Sequence, residues 1–266
     1  MVRWQATHCA NTLNVCLGHK PFPDKFRHHV DVMLSPRPLL SPFQTVVVDD
    51  NKFGQHGSSL SEYSQLIWLY DHFSKVINDY EYVRIFQYRR FVSPNDIGNV
   101  CSHPWAKWTK ARDISRYDDA FRRACSGEMF NHPFGFPETV LGQYKNTHIE
   151  DDILNFARFL VESNKFSHSD ESAFLNSVKL IPACNMGVFK TSTLLWLLAE
   201  LKDASQFMNT KYFTPRPGYQ RRVTGFLLER LNSYLLLNKY SGHRRYGFHT
   251  IIADGPNIET TTNISG

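Results

Sequence analysis

Between residues 60 and 77 the apolar side chains Leu60, Tyr63, Leu66, Ile67, Tyr70, Phe73 and Ile77 recur at i, i+3, i+4, i+7 spacing, the period of an amphipathic helix. Apolar runs of strand length lie on both sides: Leu13–Leu17 and Thr45–Val48 before the helix, Tyr82–Phe86 after it. Gly18 and Pro21 end the first run, and three prolines between Ser35 and Pro42 mark a loop. The order strand, strand, helix, strand predicts an α/β protein built on a sheet. Ser59-Leu60-Ser61-Glu62 reads as a capping box at the helix start, with Ser59 accepting from the Glu62 amide and the Glu62 side chain reaching back.

Residues 93–147 carry Pro94, Pro104, Pro133 and Pro137 and read as an irregular insertion after the third strand, with a helix near 115–125. A helix is expected over 149–162, with Ile149, Ile153, Phe156 and Leu160 on one face. A strand starts at Val178–Ile181 and runs on through Asn185-Met186-Gly187-Val188-Phe189. Helices follow at about 191–203 and 221–238, and the polar tail over 255–266 is expected to fray. With 266 residues, one domain over 1–266 is the expectation.

Composition narrows the function classes. A 42% hydrophobic and 21% charged chain is neither disordered nor collagenous. The net charge of +5 suits an anionic ligand such as a nucleoside diphosphate. The Arg and aromatic interleaving of Tyr82–Phe91 would suit nucleic acid, but the modest charge and the lack of any motif argue for no nucleic-acid partner. Five scattered cysteines make a disulfide framework unlikely and point to a reducing, cytoplasmic setting. Cys101 and His103 would be half a zinc site with no second half. No apolar stretch reaches the roughly 18 residues of a membrane span, and the N-terminus lacks a secretory apolar region. Membrane contact, if any, is expected to be peripheral, at the inner face of the cytoplasmic membrane.

Four segments in order carry a family likeness. They are Gly18-His19-Lys20-Pro21 after the first strand; Glu62 through Trp68 leading to Asp79-Tyr80-Glu81-Tyr82 and Gln87-Tyr88-Arg89-Arg90; Asn185-Met186-Gly187-Val188-Phe189; and Arg216-Pro217-Gly218-Tyr219 leading to Glu229-Arg230-Leu231. Across about residues 13–238 the chain resembles the glycosyltransferase family of bacterial capsule and O-antigen loci, formerly catalogued as a domain of unknown function. Gly18 stands where that family has threonine, and Gln87 where it has histidine. The resemblance implies a GT-A-like, Rossmann-type mixed sheet flanked by helices, binding a nucleotide sugar at the carboxyl ends of its strands. It divides the chain into a nucleotide-binding half over about 10–92, the insertion, and an acceptor-side half over about 148–250. The asparagine-methionine-glycine strand is also similar to the asparagine-serine-glycine strand of glycogenin-like transferases, which lies beside the sugar.

The implied reaction moves a sugar, of galactose type, from a nucleotide donor (UDP-sugar) to a lipid-linked glycan in surface-polysaccharide synthesis. No Asp-x-Asp occupies the place where many GT-A enzymes hold a metal; Gln87-Tyr88-Arg89-Arg90 stands there. No cofactor is expected, and Mn or Mg would enter only if Asp49 and Asp50 hold one. Arg89 and Arg90 either take over the metal's role through bidentate contacts to the diphosphate or form surface salt bridges. Asp49 and Asp50 either contact the donor or form a solvated turn. His19 and Lys20 leave the first strand where the nucleotide is expected, although Pro21 equally marks a turn. Asn185 can bond sugar hydroxyls or neighbouring loops, and Gly187 would permit close backbone approach.

His148, Asp151 and Asp152 share one side of a helix start and could form an acceptor site with a carboxylate base, or simply complement the helix dipole. Arg216 and Tyr219 are the other acceptor-side candidates. Glu229 flanks an apolar stripe of Val223, Phe226, Leu227, Arg230, Leu231 and Tyr234. It is either the general base or an ion-pair partner of Arg221, Arg222 or Arg230. The missing Asp-x-Asp keeps one alternative open: a non-catalytic sugar- or nucleotide-binding module of a polysaccharide assembly complex.

Overall fold

The computed structural model describes residues 11–20, 29–39, 44–48, 58–117, 127–241 and 245–253. Asp49, Asp50, Pro21, most of the expected helix near 115–125 and the tail from 255 lie outside the described residues. The first strand, β1 (Thr12–Leu17), is wholly buried, as is β2 (Val32–Ser35). Continuous burial on both faces is what parallel strands covered by other layers require. β1 pairs in parallel with β2 and with β4 (Tyr82–Gln87), and β2 pairs in parallel with β3 (Thr45–Val47). Leu13, Val15 and Leu17 join the large core beneath the helices, whereas Cys16 joins Met33 and Phe86 in a smaller cluster, the period-2 alternation of a strand. β2 is missing from the sequence reading, which saw only the proline-rich loop that follows it.

The rest of the sheet departs from an open Rossmann-type arrangement. After the turn at Tyr88-Arg89 the chain doubles back as β5 (Arg90–Ser93), which pairs antiparallel with β4 and with β12 (Tyr246–Ile252). β12 pairs with β8 (Met129–Asn131), β8 with β11 (Gly187–Lys190), and β11 with β4. These pairings close β4, β11, β8, β12 and β5 into a small barrel at the end of the parallel strands. Closure leaves no free edge among those five strands. The structure thus corrects the expected insertion. Residues 93–147 supply β6 (Asn99–Val100), β7 (Ala106–Thr109) and β8 to the main sheet, and among the described residues of this stretch β9 (Phe134–Gly135) pairs outside it, with β10 (Lys179–Leu180). A 3-10 helix, Ala111–Tyr117, lies at the start of the helix expected near 115–125.

Among the described residues the α-helices are α1 (Tyr63–Ile77), α2 (Val140–Lys145), α3 (Glu150–Glu162), α4 (His168–Leu175), α5 (Thr191–Ser205) and α6 (Val223–Lys239). α1 packs on α5 and α5 on α6, and their apolar faces cover β1 and β4. The capping box expected at Ser59–Glu62 does not form. Ser59 Oγ instead donates to Thr224 Oγ1 (2.7 Å) and accepts from the Thr224 amide (3.1 Å), and α1 starts at Tyr63 with no side-chain cap. The box that does form, Ser167 with Asp170, starts α4. Glu62 is therefore released from any capping duty.

Candidate active site

The parallel strands deliver their ends to one crevice. β1 leads into Gly18, His19 and Lys20, and His19 and Lys20 are exposed. A Cβ on Gly18 would come within 2.7 Å of the Tyr88 ring, so glycine is what lets Tyr88 pack against this turn. His19 meets Tyr88 edge-on at 4.9 Å, and Arg89 lies over the same ring at 5.6 Å. From the end of β2, Arg37 donates through Nε and Nη2 to the His19 carbonyl (3.2 and 3.1 Å). Partial burial, then Lys20, Arg37 and Arg89, push the His19 imidazole below its usual range, with Glu62 opposing them. The crevice is cationic, with Lys20, Arg37 and Arg89 converging on the strand ends, as a site for a polyanion requires.

Glu62 stands at the inner border of the crevice. Ser61 has φ +54, a left-handed conformation that non-glycine residues rarely adopt, and it turns both side chains toward α6. Arg222 donates to Ser61 Oγ through Nε and Nη2 and to Glu62 Oε2 at 3.2 Å, while Ser61 Oγ donates to Glu62. Burial alone would raise the Glu62 carboxyl, but Arg222, the Ser61 hydroxyl, its own backbone and Arg90 together hold it below the usual range. Gly225 permits this approach: a Cβ there would meet the Leu60 carbonyl and Ser61 Cβ at 2.9 Å.

The side chain of Arg90, the first residue of β5, makes no hydrogen bond or ion pair among the described residues, and its Nε is buried without a partner. Burial and Arg89 lower its pKa; Glu62 and Glu229 act the other way. It opens onto a cavity of about 240 Å3 lined by Gln143, Ala183, Glu229, Arg230 and His249 among others. Glu229 sits on α6, with its side chain 41% exposed, and Arg230 Nη1 donates to its Oε2 at 3.2 Å. The Arg230 guanidinium also donates to the Phe226 carbonyl (3.3 Å) and to Gln143 Oε1 of α2 (2.9 Å). A buried chain anchors this part of α6: Asn232 donates to Tyr63 Oη (3.2 Å), Tyr63 Oη lies 3.8 Å from Cys184 Sγ, and Cys184 donates to the Glu229 carbonyl (3.2 Å). Glu229 is thus a carboxylate open to a cavity, mounted on a fixed helix, with one guanidinium partner.

The other sequence-derived candidates fall in three places. His148 is stacked on Phe226 at 4.1 Å, bonded through Nδ1 to Gln220 (3.0 Å), and held neutral with a pKa lowered to about 4, first by burial and then by Arg230. Tyr219, 64% exposed, lies against the same Phe226 ring at 5.1 Å. Asp152 is 3% exposed and takes a bidentate contact from Arg216, with the shortest distance 2.8 Å; Asp151 is exposed beside it. That ion pair engages both members with each other rather than with the cavity. Asn185 is buried in the turn before β11. Gly187, at φ +147, lets the Met129 carbonyl of β8 approach where a Cβ would lie 2.5 Å away, so it serves strand packing.

The sequence reading missed Arg37, Gln143, Trp105 and His249, and it offered Arg222 to Glu229, whereas Arg222 pairs with Glu62. Of these, His249 left a trace: a polar residue inside the strand Tyr246–Ile252, at a position where alternation asks for an apolar one. Among the described residues no group of three His, Cys, Asp or Glu side chains could hold a metal ion. No described helix is long and apolar enough to cross a membrane.

No protein-family model matches the chain, and no curated protein matches it. Among solved structures it is similar to the apo form of WbbM, a bifunctional glycosyltransferase, with a TM-score of 0.63 and 14% identity over 92% of this chain and 46% of that one. The chain therefore spans less than half the length of that protein. At this identity the likeness is one of fold, and the chain has a glycosyltransferase-like α/β fold.

Proposed function

We propose that the protein is a glycosyltransferase that moves a hexose, of galactose type, from a UDP-sugar to a lipid-linked glycan in bacterial surface-polysaccharide synthesis. The observation that carries this reading is Arg90: a half-buried guanidinium at the carboxyl end of the parallel strands, with no anion of its own and a carboxylate in electrostatic range on each side. Holding an unpaired buried cation is costly unless a ligand anion completes it. The glycosyltransferase-like fold and the four ordered sequence segments support the same assignment.

In this reading the diphosphate lies across the crevice against Lys20, Arg89 and Arg90, with His19 at its edge and Asp49, Asp50 and Asn185 as further donor contacts. The acceptor hydroxyl gives its proton to Glu229 as its oxygen attacks the anomeric carbon. The bond from that carbon to the phosphate oxygen breaks, and its electron pair leaves on the diphosphate. Arg89 and Arg90 stabilise the charge that develops there, the role a metal plays elsewhere. His148 and Tyr219 are assigned to the acceptor side; Arg216 is tied to buried Asp152, which leaves the exposed Asp151 as the reserve base. Assay of UDP release from a panel of UDP-hexoses tests the reading; no turnover and no UDP binding in the folded protein would refute it.

A further inference from the structure

The inner wall of the cavity, beyond Arg90 and Glu229, combines two surfaces. One is aromatic. The Trp105 indole stacks on the His103 ring at 5.2 Å and 19°, and Phe134 and Phe136 back it at 5.5 and 5.9 Å. The other is polar and unsatisfied. His249 is 3% exposed and neither of its ring nitrogens has a hydrogen-bond partner; Nε of Arg230, 7% exposed, has none either. Buried polar atoms in native proteins are almost always paired, so three unpaired ones on residues lining one cavity point to a ligand.

The chemistry of the ligand follows from His249. Burial, then Arg90 and His103, lower its pKa to about 3, so the ring is neutral near pH 7 and offers one donor and one acceptor. A carboxylate or phosphate only accepts and would leave one nitrogen unmet; a pair of hydroxyls meets both. The flat face of Trp105 suits the C–H face of a sugar ring, and a cavity of about 240 Å3 suits a single ring. The wall includes Glu229, the proposed base, and shares with the strand-end crevice only Arg90, not His19, Lys20, Arg37 or Arg89, so the ring it holds lies beside the base rather than along the diphosphate.

We propose that this cavity holds the terminal sugar of the acceptor, a neutral monosaccharide lying on Trp105, with hydroxyls bonded to His249 and Arg230 and the reacting hydroxyl turned toward Glu229. The proposal rests on the glycosyltransferase reading for the direction of transfer, but not for the binding of the sugar. The test is calorimetric titration of the UDP-saturated protein with neutral methyl hexopyranosides and hexofuranosides, and with methyl glucuronide. At least one neutral glycoside should bind. Its affinity should fall tenfold or more in Trp105→Ala and in His249→Ala and recover in part in His249→Asn, which keeps a donor and an acceptor, while UDP affinity stays within twofold.

Four results would overturn it: no glycoside binds; the variants bind the glycoside as the wild type does; the glucuronide binds in preference; or the variants weaken UDP and not the glycoside. If the wild type fails to bind UDP, the donor reading falls separately, and the same comparison made without UDP still decides the cavity.

Discussion

The strand-end crevice and the cavity beneath α6 meet at Arg90 and are otherwise built in opposite ways. In the crevice, His19, Lys20 and Arg37 are exposed, and the cations Lys20, Arg37 and Arg89 outnumber the single carboxylate of Glu62. Water screens them from one another, so the chain tolerates their repulsion, and the field they make attracts an anion without fixing its orientation. In the cavity the two ends of one ion pair are held in place: Arg230 reaches Glu229, Gln143 and the Phe226 carbonyl, and Glu229 rides on a helix pinned through Cys184 and Tyr63. In the proposed reading the first region gathers a diphosphate and the second selects one hydroxyl from several.

The sharpest way to break this division is Glu229→Gln. The substitution keeps the shape of a half-exposed side chain, so UDP affinity and Tm should hold while transfer falls about 10²–10⁴-fold, the usual share of general-base catalysis. If turnover per folded molecule is unchanged and only Tm drops, Glu229 is an ion-pair partner of Arg230 and nothing more. Next in size, Arg90→Ala should weaken UDP by about 1.5–3 kcal/mol, the scale of a charged hydrogen bond, with Arg89→Ala behaving similarly. Equal UDP affinity in both variants would remove the diphosphate from the crevice.

Gly225→Ala sharpens the seam between the two regions. Alanine normally favours a helix interior, yet here its Cβ meets the Leu60 carbonyl at 2.9 Å. A loss of roughly 1–3 kcal/mol is expected, read as a lower denaturation midpoint, with displacement of Arg222 from Ser61 and Glu62. A stability gain would show that the seam has slack. The smallest effect is on pH. His249 and His148 titrate at about 3 and 4 in the folded chain against an ordinary 6.5, both lowered chiefly by burial. Below about pH 6.5 the unfolded chain binds protons that the folded chain refuses, so stability is complete above that value and declines toward pH 4. Melting curves across pH 7.5 to 4 should show this slope, and His148→Asn should flatten part of it, since it removes one of the two depressed imidazoles.

Apart from β2, the parallel half was legible because its signals are local. β1 and β4 are mostly apolar runs, broken inside only by Asn14 and Arg84, α1 has clean periodicity, and His19, Lys20, Arg89 and Arg90 follow closely on strand ends. The cavity was not legible because its wall comes from separate elements: Arg90 on β5, Trp105 before β7, Gln143 on α2, Glu229 on α6 and His249 on β12. Their meeting depends on the barrel closure, which hinges on the two-residue reversal at Tyr88-Arg89 and has no local pattern. Glu62 shows the converse. Its local pattern was that of a helix cap, and a partner 160 residues away in sequence, Arg222, took the carboxylate instead.

The central claim is that this chain breaks a nucleotide-sugar bond between the two regions. The most direct measurement is UDP released from a panel of UDP-hexoses by the wild-type protein, with a lipid-linked or synthetic glycoside acceptor present, beside Glu229→Gln. The account predicts acceptor-dependent UDP release from at least one donor, and its loss in Glu229→Gln with donor binding retained. A folded wild-type protein that binds UDP-hexoses yet releases no UDP with any acceptor would contradict it and leave a binding module in place of an enzyme.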